Sequence, residues 1–376
     1  MRKIISLLII YLTTILVLGP CLSAINISNN ENIILKKLNI IHVYPGDSIQ
    51  DAIDMANSRE TVFVHSGIYY EKVDICKSIT LAGENKVTTV IDGNKLGDVV
   101  TTKCNDVIIL GFTIQNSGPS GFDHAITCSE NRNAQISNCI IKDNAGGIRF
   151  NSVSDSTINN CEIYQNLQTS ITIYEKSNNI QIKNCIIKNN GDIYIGGIHI
   201  SSATNIDIKG CQIDNNHCGI SLVNAKYVNI YDNTLDGNSW GNIELLGTEA
   251  QNPSHVRIYN NKIINSPDNG ILIQSCPGNI IVENNIINSN EGSGILILRS
   301  PNNIVTGNSL SNNKVGIQIK ECSYNTEALK DENTFYNNGK DISTKKINKV
   351  LSRFSENLKL PNILLELLEK IGIFNF

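Results

Sequence analysis

The sequence predicts an all-β solenoid, a parallel β-helix of coils about 22 to 28 residues long with three short strands in each. Three observations predict it. The first is a repeat. Anchored on Cys139, equivalent positions fall at Cys161, Cys185, Cys211, Asn233, Asn261, Asn285, Asn308 and Asn333, at intervals of 22, 24, 26, 22, 28, 24, 23 and 25 residues. An aliphatic residue stands three before most anchors (Ile136, Ile158, Ile182, on to Val305), and an apolar residue two after each (Ile141, Ile163, Ile187, on to Phe335). The second is period. Apolar and polar residues alternate over short runs, which is the signature of strands with one buried face. The third is the lack of any helical run between these strands, which excludes βαβ units and helix-containing leucine-rich repeats.

Two columns mark the bends. One is the Cys/Asn anchor itself; the other lies five residues later, at Asn144, Asn166, Asn190, Asn216, Asn238, Ser266, Asn290, Asn313 and Asn338. With coils stacked at roughly 4.8 Å, each inward amide falls on its counterpart and can bond turn backbone and the next amide.

Taken in order, residues 1–24 have basic Arg2 and Lys3, an apolar run from Ile4 to Leu18 and small residues at Ser23 and Ala24. This is the pattern of a secretory signal peptide cleaved near Ala24, with an uncleaved anchor as the alternative. It places the chain outside the cell or in the envelope. Residues 25–60 form the entry. Asp47 or Ser48 can cap a short helix whose apolar side is Ile49, Ile53 and Met55, suited to plug the first coil. The β-helix itself spans 61–342. Its four anchor cysteines, with Cys128, read as small buried hydrophobes rather than metal ligands, with one or two disulfides between adjacent coils left open. A net charge of −4 and a pI near 5.9 carry no basic footprint for nucleic acid.

Ser48-Ile49-Gln50-Asp51-Ala52-Ile53, then Val62 to Glu71, then Ser78-Ile79-Thr80-Leu81-Ala82-Gly83-Glu84 resembles the opening of pectin-lyase-like right-handed β-helix proteins. The repeats that follow are similar to the NosD-type, carbohydrate-binding-and-sugar-hydrolysis branch. The resemblance covers residues 42–342 and implies a right-handed coil with a carbohydrate partner along an outward face. It does not select an activity, because this fold hosts lyases, hydrolases, esterases, epimerases and binding proteins.

The face is chosen by its outward residues. Along the Gly-Ile-x-Ile strand the inward column is Ile126, Ile148, Ile171, Ile198, Ile220, Ile243, Ile271, Ile295 and Ile317. The outward neighbours are Thr127, Arg149, Thr172, His199, Ser221, Glu244, Leu272, Leu296 and Gln318, and a second outward row carries Ser129, Asn151, Tyr174 and Ser201. Insertions at 117–124, 191–196 and 246–254 adjoin this strand. Arg149, Tyr174, His199 and Glu244 are therefore the candidate glycan ligands, with Trp240, aligned one coil after His217, as a stacking platform. For catalysis, His199, Glu244 and Arg149 are the candidates. Yet Glu244 has no carboxylate partner in either row, and a glycosidase needs two carboxylates about 5 to 10 Å apart. Glu249 and Asp192 are the loop carboxylates in reach. A calcium-dependent lyase needs an acidic cluster that these rows do not offer, so no cofactor is expected and calcium enters only with lyase chemistry. Scattered histidines and two methionines argue against copper. Three functions stay open: glycan binding; a polysaccharide lyase, hydrolase or epimerase in the same groove; and a structural or adhesive scaffold.

Residues 343–376 show helical spacing of apolar residues broken at Pro361. They read as a helical C-terminal cap that folds back on the outward leucines, with membrane-surface contact through 345–376, or a homodimer through Leu272, Leu296 and Leu298, as alternatives.

Overall fold

The computed structural model describes residues 39–191, 196–248 and 252–345. Each coil gives one short strand to each of three 12-stranded sheets. Sheet I runs from Ile40–Val43 through Thr61–Val64 to Ile304–Thr306. Sheet II runs from Gly67–Tyr70 to Thr334–Tyr336, and sheet III from Val73–Ile75 to Ile342–Lys345. Neighbouring strands pair in parallel, coil on coil, so that Ile148 sits on Ile171 and Ile171 on Ile198.

The chain turns where the sequence places asparagine. The residue before the anchor is left-handed, with φ of 51° at Asn138, 54° at Asn160 and 54° at Asn184. Asparagine adopts this region at less cost than other residues with a side chain. The next residue then points inward. In the second column Asn166 donates from Nδ2 to Asn190 Oδ1 at 3.0 Å and to the Ile141 carbonyl at 3.2 Å. Its backbone N–H donates to the same Asn190 oxygen at 3.0 Å. This ladder satisfies the polar backbone that the bends bring inside. The anchor column does the same from Asn233 onward, as in Asn285 to Asn308 at 2.9 Å. Through the cysteines it does so weakly: Cys185 Sγ approaches the Lys183 carbonyl at 3.3 Å and the Ile158 carbonyl at 3.9 Å. Those thiols are free and buried; among the described residues Cys76 is an exposed one.

Between the ladders stand columns of fully buried isoleucine, each worth about 1.5–3 kcal/mol of apolar burial. Helix α1 (Ile49–Met55) closes the first coil. Ser48 is its N-cap, with Oγ accepting from the Asp51 N–H at 3.1 Å, and Glu71 accepts from the Ile49 and Gln50 N–H groups at 2.8 and 3.1 Å.

Two expectations need correction. Met55 does not join the apolar side of α1: it is 74% exposed, and Ala52 takes the buried place beside Ile49 and Ile53. The repeats are also not free of helix. Helix α2 (Thr326–Glu332), capped by Asn325, precedes the last strand of sheet II and buries Leu329. The final strand, Ile342–Lys345, extends sheet III past the boundary expected at residue 342. The expected leader (1–24) and the tail after Lys345 lie outside the described residues.

Candidate functional site

The outward rows of sheet III have the register that the repeat predicts. Thr127 pairs with Arg149, Arg149 with Thr172, Thr172 with His199, His199 with Ser221, Ser221 with Glu244, and Glu244 with Leu272. Asn151 pairs with Tyr174 in the second row.

Three of the predicted ligands come together. The Arg149 guanidinium carbon lies 5.7 Å from the centre of the Tyr174 ring, and His199 meets that ring edge-on at 5.8 Å and 74°. The tyrosine thus bridges two strands that the register keeps two coils apart. Burial pushes the Tyr174 hydroxyl up, against the pull of Arg149. Burial also lowers His199 to about 4, so its imidazole is neutral at ordinary pH and its Nδ1 and Nε2 offer one donor and one acceptor.

Trp240 stands apart from this trio. It is 50% exposed and packs at 36° against His217, ring centres 5.4 Å apart. Glu244 turns away from solvent: it is 5% exposed and folds back toward the start of its own strand, where a Cβ on Gly241 would lie 3.3 Å from its Oε1. After burial itself, that carboxylate is the next cause holding the Cys218 thiol well above its usual range. His124 is a structural residue. It is buried, its Nδ1 lies 2.9 Å from the Phe122 carbonyl, and its backbone N–H donates to Asp98 at 2.6 Å. Glu249 and Asp192 lie outside the described residues.

A further property unites the polar rows. Thr127 Oγ1, Arg149 Nε, Asn151 Oδ1, His199 Nδ1 and Ser221 Oγ are all shielded from solvent and hydrogen-bond to no group among the described residues. Buried polar atoms are seldom left so, and these five come from the outward rows of one sheet. Toward the C-terminus the row turns apolar: Leu296 is 8% exposed, and Leu272 and Leu298 are half-buried. Among the described residues no group of three or more His, Cys, Asp or Glu side chains could hold a metal ion, and no helix is long and apolar enough to cross a membrane.

The right-handed β-helix region, as a family, matches residues 17–196, 87–235 and 222–346. The chain belongs to that family. No curated protein sequence matches it. Among solved structures, this β-helix is similar to the surface adhesin PfbA of Streptococcus pneumoniae (18% identity, TM-score 0.61, 78% of this chain and 88% of that one). It is similar to the Dettilon tailspike protein (14%, 0.58, 81% and 68%). It also resembles the A-module of a mannuronan C-5 epimerase of Azotobacter vinelandii (14%, 0.53, 79% and 92%). At these identities the likeness shows the fold.

Sequence reasoning missed two outward features of sheet I. Tyr227 and His255 stack at 4.6 Å beside Asn179, Asn205, Asp207 and Asn229, around a shallow polar pocket of about 280 Å³. Both are left-handed, with φ of 55°, in a column where Asp155, Asn179 and Asn205 hold the same conformation. A bulky ring there is strained, and that mismatch in residue type was the available signal. The second is a pair of histidines in the first two coils.

Proposed function

We propose that this protein is an exported β-helix that binds a polysaccharide or other glycan along the polar half of sheet III. The observation that carries the reading is the set of five shielded, unbonded polar atoms on that outward face, gathered around the Arg149–Tyr174–His199 cluster. Sugar hydroxyls are donors and acceptors of the kind those atoms lack, and ring faces such as Tyr174 and the half-exposed Trp240 suit the apolar faces of sugars. Several solved structures of the same fold carry carbohydrate in their names, including the mannuronan epimerase and an α-1,3-glucanase in complex with tetrasaccharides. The hydrophobic leader pattern of residues 1–24 supports export.

Binding without cleavage is the preferred form, because Glu244 is buried and no second carboxylate joins it in the outward rows from Thr127 to Lys320. The test is incubation with neutral and acidic polysaccharides, with and without calcium, scored for retention and for products. Saturable retention without new reducing ends or unsaturated uronic acids supports binding. Products that vanish in Glu244→Gln make it an enzyme instead. No retention on any glycan leaves an adhesive or structural scaffold.

A further inference from the structure

Far along the chain from the sheet III cluster, the first two strands of sheet I bring His42 and His65 together on their outward face. Val43 pairs with Val64, and the His65 N–H donates to the Val43 carbonyl at 2.9 Å, which sets the two imidazoles diagonally across the strands. His42 Nδ1 and His65 Nε2 share a hydrogen bond of 3.1 Å, with the ring centres 5.3 Å apart and the planes at 21°. The rings are held from the sides. Tyr44 stacks on His65 at 4.2 Å and 9°, and Phe63 meets His42 and His65 edge-on at 5.6 and 5.1 Å.

The other nitrogen of His65 is also addressed. Glu84 Oε2 lies 3.6 Å from its Nδ1. Glu84 is fixed in turn by Ser66, whose backbone N–H and hydroxyl donate to it at 2.8 and 2.9 Å. A carboxylate on one side of an imidazole favours the hydrogen on the near nitrogen and leaves a lone pair on the far one. In His65 that far nitrogen is Nε2, the atom facing His42.

Two nitrogens on one cation at about 2.0–2.1 Å are roughly 2.9 to 3.4 Å apart at right-angled to tetrahedral geometry. The observed spacing falls inside that window; a cation would replace the hydrogen bond between the rings, with the exposed His42 ring turning to aim its lone pair at the ion. We propose that His42 Nδ1 and His65 Nε2 form a two-imidazole site for a late first-row divalent cation of the zinc or nickel class, with Glu84 orienting His65 and solvent filling the remaining positions. The hydrogen that His42 Nδ1 shares with His65 passes to the outer nitrogen of the His42 ring, so the cation displaces no proton from the protein. With two protein ligands rather than the four of a structural site, the ion exchanges and keeps open positions. The assignment is independent of glycan binding on sheet III.

Nickel(II) titration of the metal-stripped full chain by calorimetry tests it. One equivalent is expected. His42→Ala and His65→Ala should each weaken binding at least tenfold, and Glu84→Gln about tenfold, because His65 loses the carboxylate that orients it. His255→Ala, on the same sheet, should leave it unchanged. Unaltered metal-free thermal midpoints would show that the variants fold. Failure of the parent chain to bind nickel, or full binding in the His42→Ala/His65→Ala double variant (as from the exposed Cys76 thiol), would overturn the site.

Discussion

The two halves of sheet III share one interior and differ in their exterior. Ile148, Ile171, Ile198 and Ile220 in one half, and Ile271, Ile295 and Ile317 in the other, are all fully buried in one unbroken column. One position further along each strand, the first half presents Arg149, Thr172, His199 and Ser221, and the second Leu272 and Leu296. Backbone, register and bends are the same. A strand period of two separates the residues that specify the coil from those free to serve a ligand. The shielded polar atoms of Thr127, Arg149, Asn151, His199 and Ser221 all belong to the first half. The proposed function therefore rests on the outward rows, and stability on the inward ones.

That division can be broken from the inside. Ile220→Ala should cost about 2–5 kcal/mol in denaturant unfolding, through lost burial and a cavity. Asn285→Ala should cost about 2–3 kcal/mol, because it removes the partner of Asn261 and frees the Ile258 and Glu283 carbonyls. Cys185→Ala, at an equivalent corner with weak sulfur contacts, should cost visibly less.

Acid probes the outward cluster. The fold holds His199 at about 4, below its unfolded value of 6.5, so the unfolded chain binds more protons between these limits. Stability is complete above the unfolded pKa and falls as pH drops through this window, by about 2 kcal/mol at pH 5. His199→Gln should flatten the unfolding profile there, apart from the slope in the same direction that His124, also lowered by burial, supplies.

Smaller effects sharpen the comparison on the surface. Tyr227→Asn should raise stability by about 1 kcal/mol in thermal unfolding, by relieving a left-handed aromatic residue. Leu272→Thr, on the half-buried apolar stretch, should change glycan retention little, since it lies outside the shielded polar cluster.

Much of this was legible because a repeat aligns itself. The Ile and Asn columns predict the register of the outward residues of sheet III from Thr127 to Gln318, and that register is observed. The conformations of those residues were not legible. Glu244 reads as an outward ligand from its position, yet its flexible side chain folds back beside Gly241. Helix α2 escaped notice although Lys330 stands where other coils place an aliphatic residue three before the anchor Asn333. That lost core position marks where the strand pattern gives way. The His42–His65 pair is diagonal across two strands, so neither period nor column brings it out; only side-chain reach does.

The central claim rests on the polar half of sheet III. The most direct test is a binding isotherm for the best-retained glycan with the parent chain, Arg149→Ala and Leu272→Thr, at matched thermal midpoints. The account predicts at least a tenfold loss for Arg149→Ala, about 1.4 kcal/mol, and near-parent affinity for Leu272→Thr. Unchanged affinity in Arg149→Ala, or a loss confined to Leu272→Thr, would contradict it.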